Sequence, residues 1–216
     1  MTNDSGTFTF EFSLTILNHL GRQLYRNFIT VIGEAVSNAW DANAQNVWIN
    51  IDRDASRMTI RDDGDGMSDD GIQNRFLKIG YSKRKDPGVQ ATDRPFIGAK
   101  GIGKLALLSC ADSVTVVSRA EGFPITGCVI DNQSLDDAIE EDRSSQEVQL
   151  ERPPIEALQL IDEDGTGTAL VFDGPRMSNS TDEFLRKALA LFYRFSLIDP
   201  NFNIHYNDEV ISVSDA

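Results

Sequence analysis

Glu34, Asn38 and Asp41 are spaced four and three residues apart in the stretch Gly33-Glu-Ala-Val-Ser-Asn-Ala-Trp-Asp-Ala42. In a helix this spacing stacks a carboxylate, a carboxamide and a second carboxylate on one stripe. Phe28, Ile32, Ala35, Val36 and Ala39 recur at the helical period on the opposite side, so one face belongs to a core and the other to a cavity edge. In a closed pocket Glu34 can accept a proton from a water attacking a phosphoryl group. Asn38 offers a neutral oxygen suited to a hard cation that keeps waters and bridges phosphates, as magnesium does. Asp41, one turn further, is placed to orient these groups rather than to ligate.

Two more segments carry chemistry. Asp62 precedes Asp63-Gly64-Asp65-Gly66-Met67, and the two glycines let the backbone turn tightly so that a planar ring can come close. Met67 is placed as a wall of that pocket or as core filling. A calcium loop of the EF-hand type fails here, because its first position would be Arg61 and its twelfth Ile72. The second segment is Gly98-Ala-Lys-Gly101-Ile102-Gly103-Lys104. It satisfies a P-loop spacing except that Leu105 stands where Ser or Thr should hold magnesium, and Arg94-Pro95-Phe96-Ile97 is a poor core strand. A dinucleotide fold lacks its preceding strand for the same reason. What remains is a set of glycines before a helix, whose N–H groups form an anion site.

Taken in order, E-x-x-x-N-x-x-D-A, D-x-G-x-G-M, G-x-x-G-x-G and Gly167-Thr168 before an apolar run resemble the GHKL superfamily of ATPases (gyrase B, Hsp90, histidine kinase, MutL). The resemblance covers roughly residues 14 to 172, and the phrases NAWDANAQNVWINID and KIGYSK are most similar to its Hsp90-like, MORC-like and MutL-like branch. It implies Glu34 as general base, Asn38 as magnesium ligand and Asp62 as acceptor for the adenine amine. It implies Thr168 near the adenine edge through water, with Gly165-Thr166 as a second possible register. Ser82-Lys83 resembles a Ser-Lys pair that lies near the phosphates in MutL-like relatives; solvated loop residues are the alternative. Lys104 would add a point charge to the phosphates or lie solvated on its helix.

Composition sets the frame. With 216 residues and 40% hydrophobic content, the chain is long enough for one large core, and no internal repeat is visible. The net charge of −14 opposes a broad nucleic-acid surface on this domain. Cys110 and Cys128 have neither metal-ligand nor redox spacing and read as buried thiols of a reducing compartment, hence a cytoplasmic protein. No signal peptide or membrane span is visible. Trp40 and Trp48 read as core or edge aromatics.

The elements that must position these residues follow from periodicity. Phe8, Phe10 and Phe12 alternate with polar residues in an extended strap over residues 1–12, and a short helix spans Ser13 to Leu20. Tyr25 to Asp41 is the long motif helix. Val47, Ile49, Ile51, Met58 and Ile60 form a hairpin that delivers Asp62. A short helix covers 69 to 79, Gly80 to Gly98 is a mobile loop, and Gly101 to Ala111 is an apolar helix. Strands are expected near 113–119, 124–130, 145–151 and 167–172, with the acidic 136–142 as a solvated helix or loop. Thr181 N-caps a helix to 195, and Phe202 to Val213 turns back at Asn207-Asp208.

The expectation is a single α+β two-layer domain of the Bergerat type, a mixed sheet with helices on one face and an ATP lid from Ser68 to Lys104. The expected activity is slow, magnesium-dependent ATP hydrolysis that gates homodimerisation of a larger protein, with ATP and magnesium as cofactors. In the resembled family a second, transducer domain usually follows at about this point, so the chain reads as the N-terminal piece of something longer. A client protein or DNA would be reached through other domains. One alternative is a histidine kinase module, which needs a phosphoacceptor helix that His19 and His205 do not provide; the other is a nucleotide sensor without turnover.

Overall fold

Val31, Ile32 and Val36 are fully buried, and Ile29, Ala35, Ala39 and Trp40 nearly so, which makes helix α1 (Phe28–Asp41) a core element on most of its circumference. The computed structural model describes residues 28–78, 94, 95, 97, 107, 110–141, 148–176, 181–194 and 199–215. The strap, the helix expected at Ser13 to Leu20, Ser82, Lys83, Gly98 and Gly101 to Lys104 lie outside the described residues, as does His19. The apolar helix expected from Gly101 is described only at Leu107, Cys110 and Ala111, of which Leu107 is helical and buried.

After α1 the chain makes the antiparallel hairpin β1 (Asn46–Asp52) and β2 (Arg57–Asp62). Val47, Ile49, Ile51, Met58 and Ile60 all point into the core, so strict alternation in the sequence does fix which face of the pleat is covered. Next come β3 (Ser113–Arg119), β4 (Thr126–Asp131) and β5 (Gly167–Asp173), then β6 (Asn203–Tyr206) and β7 (Glu209–Val210). The described strands form one seven-stranded sheet in the order β4-β3-β5-β2-β1-β6-β7. It is mixed because β6 runs parallel to β1 while the other pairs are antiparallel. The hairpin turn sits at Asn207 and Asp208, both at positive φ (46° and 67°), a conformation that Asn and Asp tolerate.

The described helices are α1, α2 (Asp69–Gly71), α3 (Asn132–Glu140), α4 (Ile155–Leu158) and α5 (Asp182–Phe192). The acidic segment is the solvated helix α3, which turns Leu135 and Ala138 inward. Thr181 caps α5, accepting the Phe184 N–H at 3.2 Å. Even-numbered residues of β3 and β5, such as Val116, Leu170 and Phe172, join α1 in the main core, whereas Val117 and Ala169 on the other face pack with Ala157 and Ile161. A small second cluster around α4 therefore covers part of the opposite face of the sheet.

Two expectations change. The helix expected over 69 to 79 is three α-helical residues followed by a π turn, Ile72–Phe76, closed by Leu77 N–H to Ile72 O at 2.8 Å. The wider turn lets Ile72, Phe76 and Leu77 all reach the core. The strand expected at 145–151 is, in its described part, reduced to isolated bridge positions at Gln149 and Glu151, the latter paired antiparallel with Val129. Pro153 and Pro154 follow after Arg152 and offer no N–H to a ladder.

Candidate functional site

Asp62 and Thr168 are register partners at the ends of β2 and β5, and their side of the sheet faces the C-terminal half of α1. A cavity lies between them. Ala35, Asn38 and Asp41 of α1 with Ala42 just past its end line one wall, and Asp62, Asp65, Gly66 and Met67 with Ile60 line another. Thr168 and Leu170 of β5 complete the floor, and Arg75 and Phe76 of the π turn close the side. Glu34 is half-buried one helical turn before Asn38 and is not among the lining residues.

The turn after β2 is held by many short contacts. Asp63 accepts the N–H groups of Gln45 and Asn46 at 2.7 Å each through one carboxylate oxygen and the Asn46 side-chain amide at 2.7 Å through the other, which fastens the turn to the chain leaving α1. Asp65 N–H donates to Ala42 O at 2.7 Å, and Asn43 donates to the Asp65 carboxylate at 2.8 Å. Asp62 accepts the Gly64 N–H at 3.0 Å, so one carboxylate oxygen is oriented by its own turn. A side chain at Gly64 would press on Ala42 and the Asp62 carboxylate. Gly66 has φ +65°, and a methyl there would overlap the Arg119 carbonyl. Both glycines are thus required by close approach, and the backbone of the turn forms a cavity wall at Gly66.

Ser118 joins three of these pieces and carries no motif in the sequence. Fully buried, it accepts the Met67 N–H at 2.8 Å, donates to Gly167 O at 2.9 Å and lies 2.9 Å from the Thr168 hydroxyl. Thr168, not Thr166, lines the cavity, so of the two possible registers it is the Gly167-Thr168 one that reaches it. Gly167, at φ +137°, leaves room for the Asp62 carbonyl that a side chain would strike.

Asp41 is buried and accepts the Ile97 N–H at 2.8 Å. Beside it Trp40 donates its indole N–H to Pro95 O at 3.0 Å, and the Arg94 guanidinium lies 4.7 Å from the Trp40 ring centre. Arg94 also donates to Ala44 O and Asn201 O at 2.5 and 2.8 Å. Of the loop expected over Gly80 to Gly98, residues 94, 95 and 97 are therefore tied to α1 and its surroundings by polar contacts that hydrophobic patterning could not reveal. Arg75, Phe76, Asp65 and Ser118 were likewise missed. A charged residue before an apolar one in a short helix ordinarily faces solvent, and only the π turn brings both to the cavity.

Among the described residues, no group of three or more His, Cys, Asp or Glu side chains is placed to hold a metal ion. Asn38, which lines the cavity, would offer one neutral oxygen to a cation that arrives with phosphates and keeps its waters. His205 does not sit on an exposed helix: it is in β6, stacked on Trp48 at 5.5 Å and 3.2 Å from the Asn46 side-chain oxygen. No helix among the described residues is long and apolar enough to cross a membrane.

Comparison with known proteins agrees with this geometry. The chain is 37% identical over 219 aligned residues to HgiDII of Herpetosiphon aurantiacus, named as a candidate type II restriction enzyme; the match covers 99% of this chain and 33% of HgiDII. It is 32% identical over 130 residues to the chaperone protein HtpG of Dechloromonas aromatica, covering 50% of this chain and 20% of HtpG. HtpG of Paraburkholderia xenovorans is also 32% identical, over 142 residues, 55% of this chain and 22% of that protein. The chain thus spans about a third or less of the length of these relatives. Residues 25–168 match the family described as histidine kinase-, DNA gyrase B- and HSP90-like ATPase. With the matched residues enclosing α1, the Asp62 turn and Thr168, the chain belongs to that family, the GHKL ATPases, and has its α+β ATP-binding fold.

Proposed function

We propose that this chain binds ATP with magnesium in the cavity between α1 and the β2–β5 floor and hydrolyses it slowly, as the nucleotide-gated part of a longer protein. The observation that carries this reading is the pairing of Asp62 with Thr168 opposite Asn38 and Asp41 on one cavity, which fits adenine at the floor and phosphates toward the helix. Asp62, oriented by Gly64 N–H, accepts the exocyclic amine. Gly66 and Met67 wall the ring. Asn38 holds the cation, which when bound neutralises the phosphate charge. Glu34 takes the proton of the attacking water as the water oxygen bonds to the terminal phosphorus and the bond to the bridging oxygen breaks, leaving ADP and phosphate. Ser82, Lys83, Gly98, Gly101, Ile102, Gly103 and Lys104 belong to a lid over residues 68–104 that covers the phosphates.

Closure of that lid is the step that gates dimerisation, with the strap over residues 1–12 docking on a second copy. The relative HgiDII, named for restriction, favours DNA over a protein client for the whole molecule, reached through other parts of it. The deciding experiment pairs nucleotide binding with turnover. Glu34→Ala should retain ATP binding and lose hydrolysis, because a base acting on water adds little to ground-state affinity. Asn38→Ala should lose the magnesium-dependent part of binding. ATP binding that is unchanged by magnesium, or turnover at the parent rate without Glu34, contradicts the assignment.

A further inference from the structure

Asp62 on β2, Thr168 on β5 and Ser118 on β3 stand in one row across three neighbouring strands, because Thr168 is the register partner of both Asp62 and Ser118. A serine hydroxyl has one hydrogen to give and two lone pairs. Among the described residues, the fully buried Ser118 hydroxyl meets the Met67 N–H at 2.8 Å, the Gly167 carbonyl at 2.9 Å and the Thr168 hydroxyl at 2.9 Å. An amide N–H can only donate and a carbonyl can only accept. The single Ser118 hydrogen therefore goes to Gly167 O, and one lone pair takes the Met67 N–H. What remains for Thr168 is the second lone pair, so Thr168 is the donor in their contact. With its own hydrogen committed to Ser118, the Thr168 hydroxyl has only lone pairs to offer the cavity that it lines. Asp62 lines the same cavity and, as a carboxylate, also accepts.

We propose that Ser118 is a positioning residue that sets the polarity of the cavity floor: by taking the Thr168 hydrogen it makes Thr168 an acceptor beside Asp62, so that the floor admits a purine with an amino group at C6 and refuses one with a carbonyl oxygen there. This rests on the cavity holding the base of a nucleotide at Asp62. The carboxylate alone does not separate the two purines, since it can accept from the amine of a 6-aminopurine or from the ring N1–H of a 6-oxopurine. A Thr168 hydroxyl free to turn would donate to the carbonyl oxygen and welcome the second. Held by Ser118, it instead sets lone pairs against that oxygen, and the group goes unpaired in a closed site. A site wired for a donor in this way rejects the analogue without one more strongly than an apolar pocket can. Ser118 is not among the cavity-lining residues and acts only through Thr168.

ATP and ITP differ only along the C6–N1 edge of the base, so the ratio of their dissociation constants, titrated with magnesium, reads the floor and not the phosphates. The parent chain should prefer ATP. In Ser118→Ala the Thr168 hydroxyl is released to donate, and the preference should fall by about tenfold, the size of one mispaired hydrogen bond. Loss of the acceptor for Met67 N–H weakens both nucleotides alike and leaves the ratio unmoved. Ser118→Thr, which keeps the hydroxyl, should retain the parent ratio. Thr168→Val is a second check that leaves Ser118 in place: with an acceptor removed the preference for ATP should shrink, whereas a Thr168 that donated into the cavity would make it grow. In a parent that prefers ATP, an unchanged ratio in folded Ser118→Ala, or an unchanged or larger one in Thr168→Val, overturns the role of Ser118 alone. Equal affinity of the parent for ATP and ITP, or no binding of either, overturns the base reading beneath it as well.

Discussion

The carboxylate of Asp41 accepts the backbone N–H of Ile97 across 56 residues of sequence at 2.8 Å, joining the last turn of the motif helix to the far end of the glycine-flanked loop. Asp41 also lines the cavity, so the bond couples the cavity wall to that loop. Asp41→Ala should leave the part-buried Ile97 N–H without its acceptor at a cost of about 1 to 3 kcal/mol. Hydrogen exchange at Ile97 should accelerate and nucleotide affinity should fall, while Asp41→Asn, which retains an acceptor oxygen, should be milder. Exchange at Ile97 that is identical in both variants and the parent would contradict the coupling.

Asp62→Asn tests base recognition. Part of the acceptor becomes a donor facing the adenine amine, and mispaired polar groups cost about 1 to 3 kcal/mol, or about five- to 150-fold in Kd. Calorimetric titration of the parent should show ATP binding far more tightly than GTP, and the variant should lose most of that difference. Equal affinities in the parent would remove Asp62 as the reader of the base.

Away from the cavity, Asp182 is hydrogen-bonded by Arg53 and by the Tyr206 hydroxyl, with the Arg53 bond the larger cause of a pKa below the usual carboxylate value. A carboxylate depressed in the folded state adds stability that is present above its unfolded pKa and is lost as pH falls through the folded one. Asp215 behaves alike, chiefly through the Ser212 N–H and then through Arg186. Acid unfolding should therefore steepen below about pH 4, and Asp182→Asn should flatten the pH dependence of stability in that window. The Arg53 and Asp182 side chains are 42% and 50% exposed, so the change at neutral pH should be small and fall further with added salt.

Burial pushes the thiols of both Cys110 and Cys128 up to about 12. Neither should react with a thiol reagent at pH 8 in the folded chain, and both should react once the chain is unfolded. Rapid labelling of the native chain would show that the core around β3 and β4 opens locally.

Local pattern alone determined the parts of this protein whose physics is local. The four- and three-residue spacing of Glu34, Asn38 and Asp41 defined the motif helix, alternation set the β1–β2 hairpin that ends at Asp62, and Thr181 marked the start of α5. The ordered motifs named the family that the comparison found. Tertiary structure decided what depends on partners distant in the chain. Arg75 enters the cavity because a π turn replaces an ordinary helix, and Ser118 becomes a junction because β3 lies beside β5 and the Asp62 turn. Between Thr166 and Thr168 the choice was made by the β2–β5 register, and the need for glycine at Gly33 arose only when Tyr193, at the end of α5, brought its hydroxyl against it. Periodicity records which side of an element is buried, but a hydrogen bond between residues 50 or 160 positions apart leaves no periodic trace, because either partner alone is an ordinary polar residue.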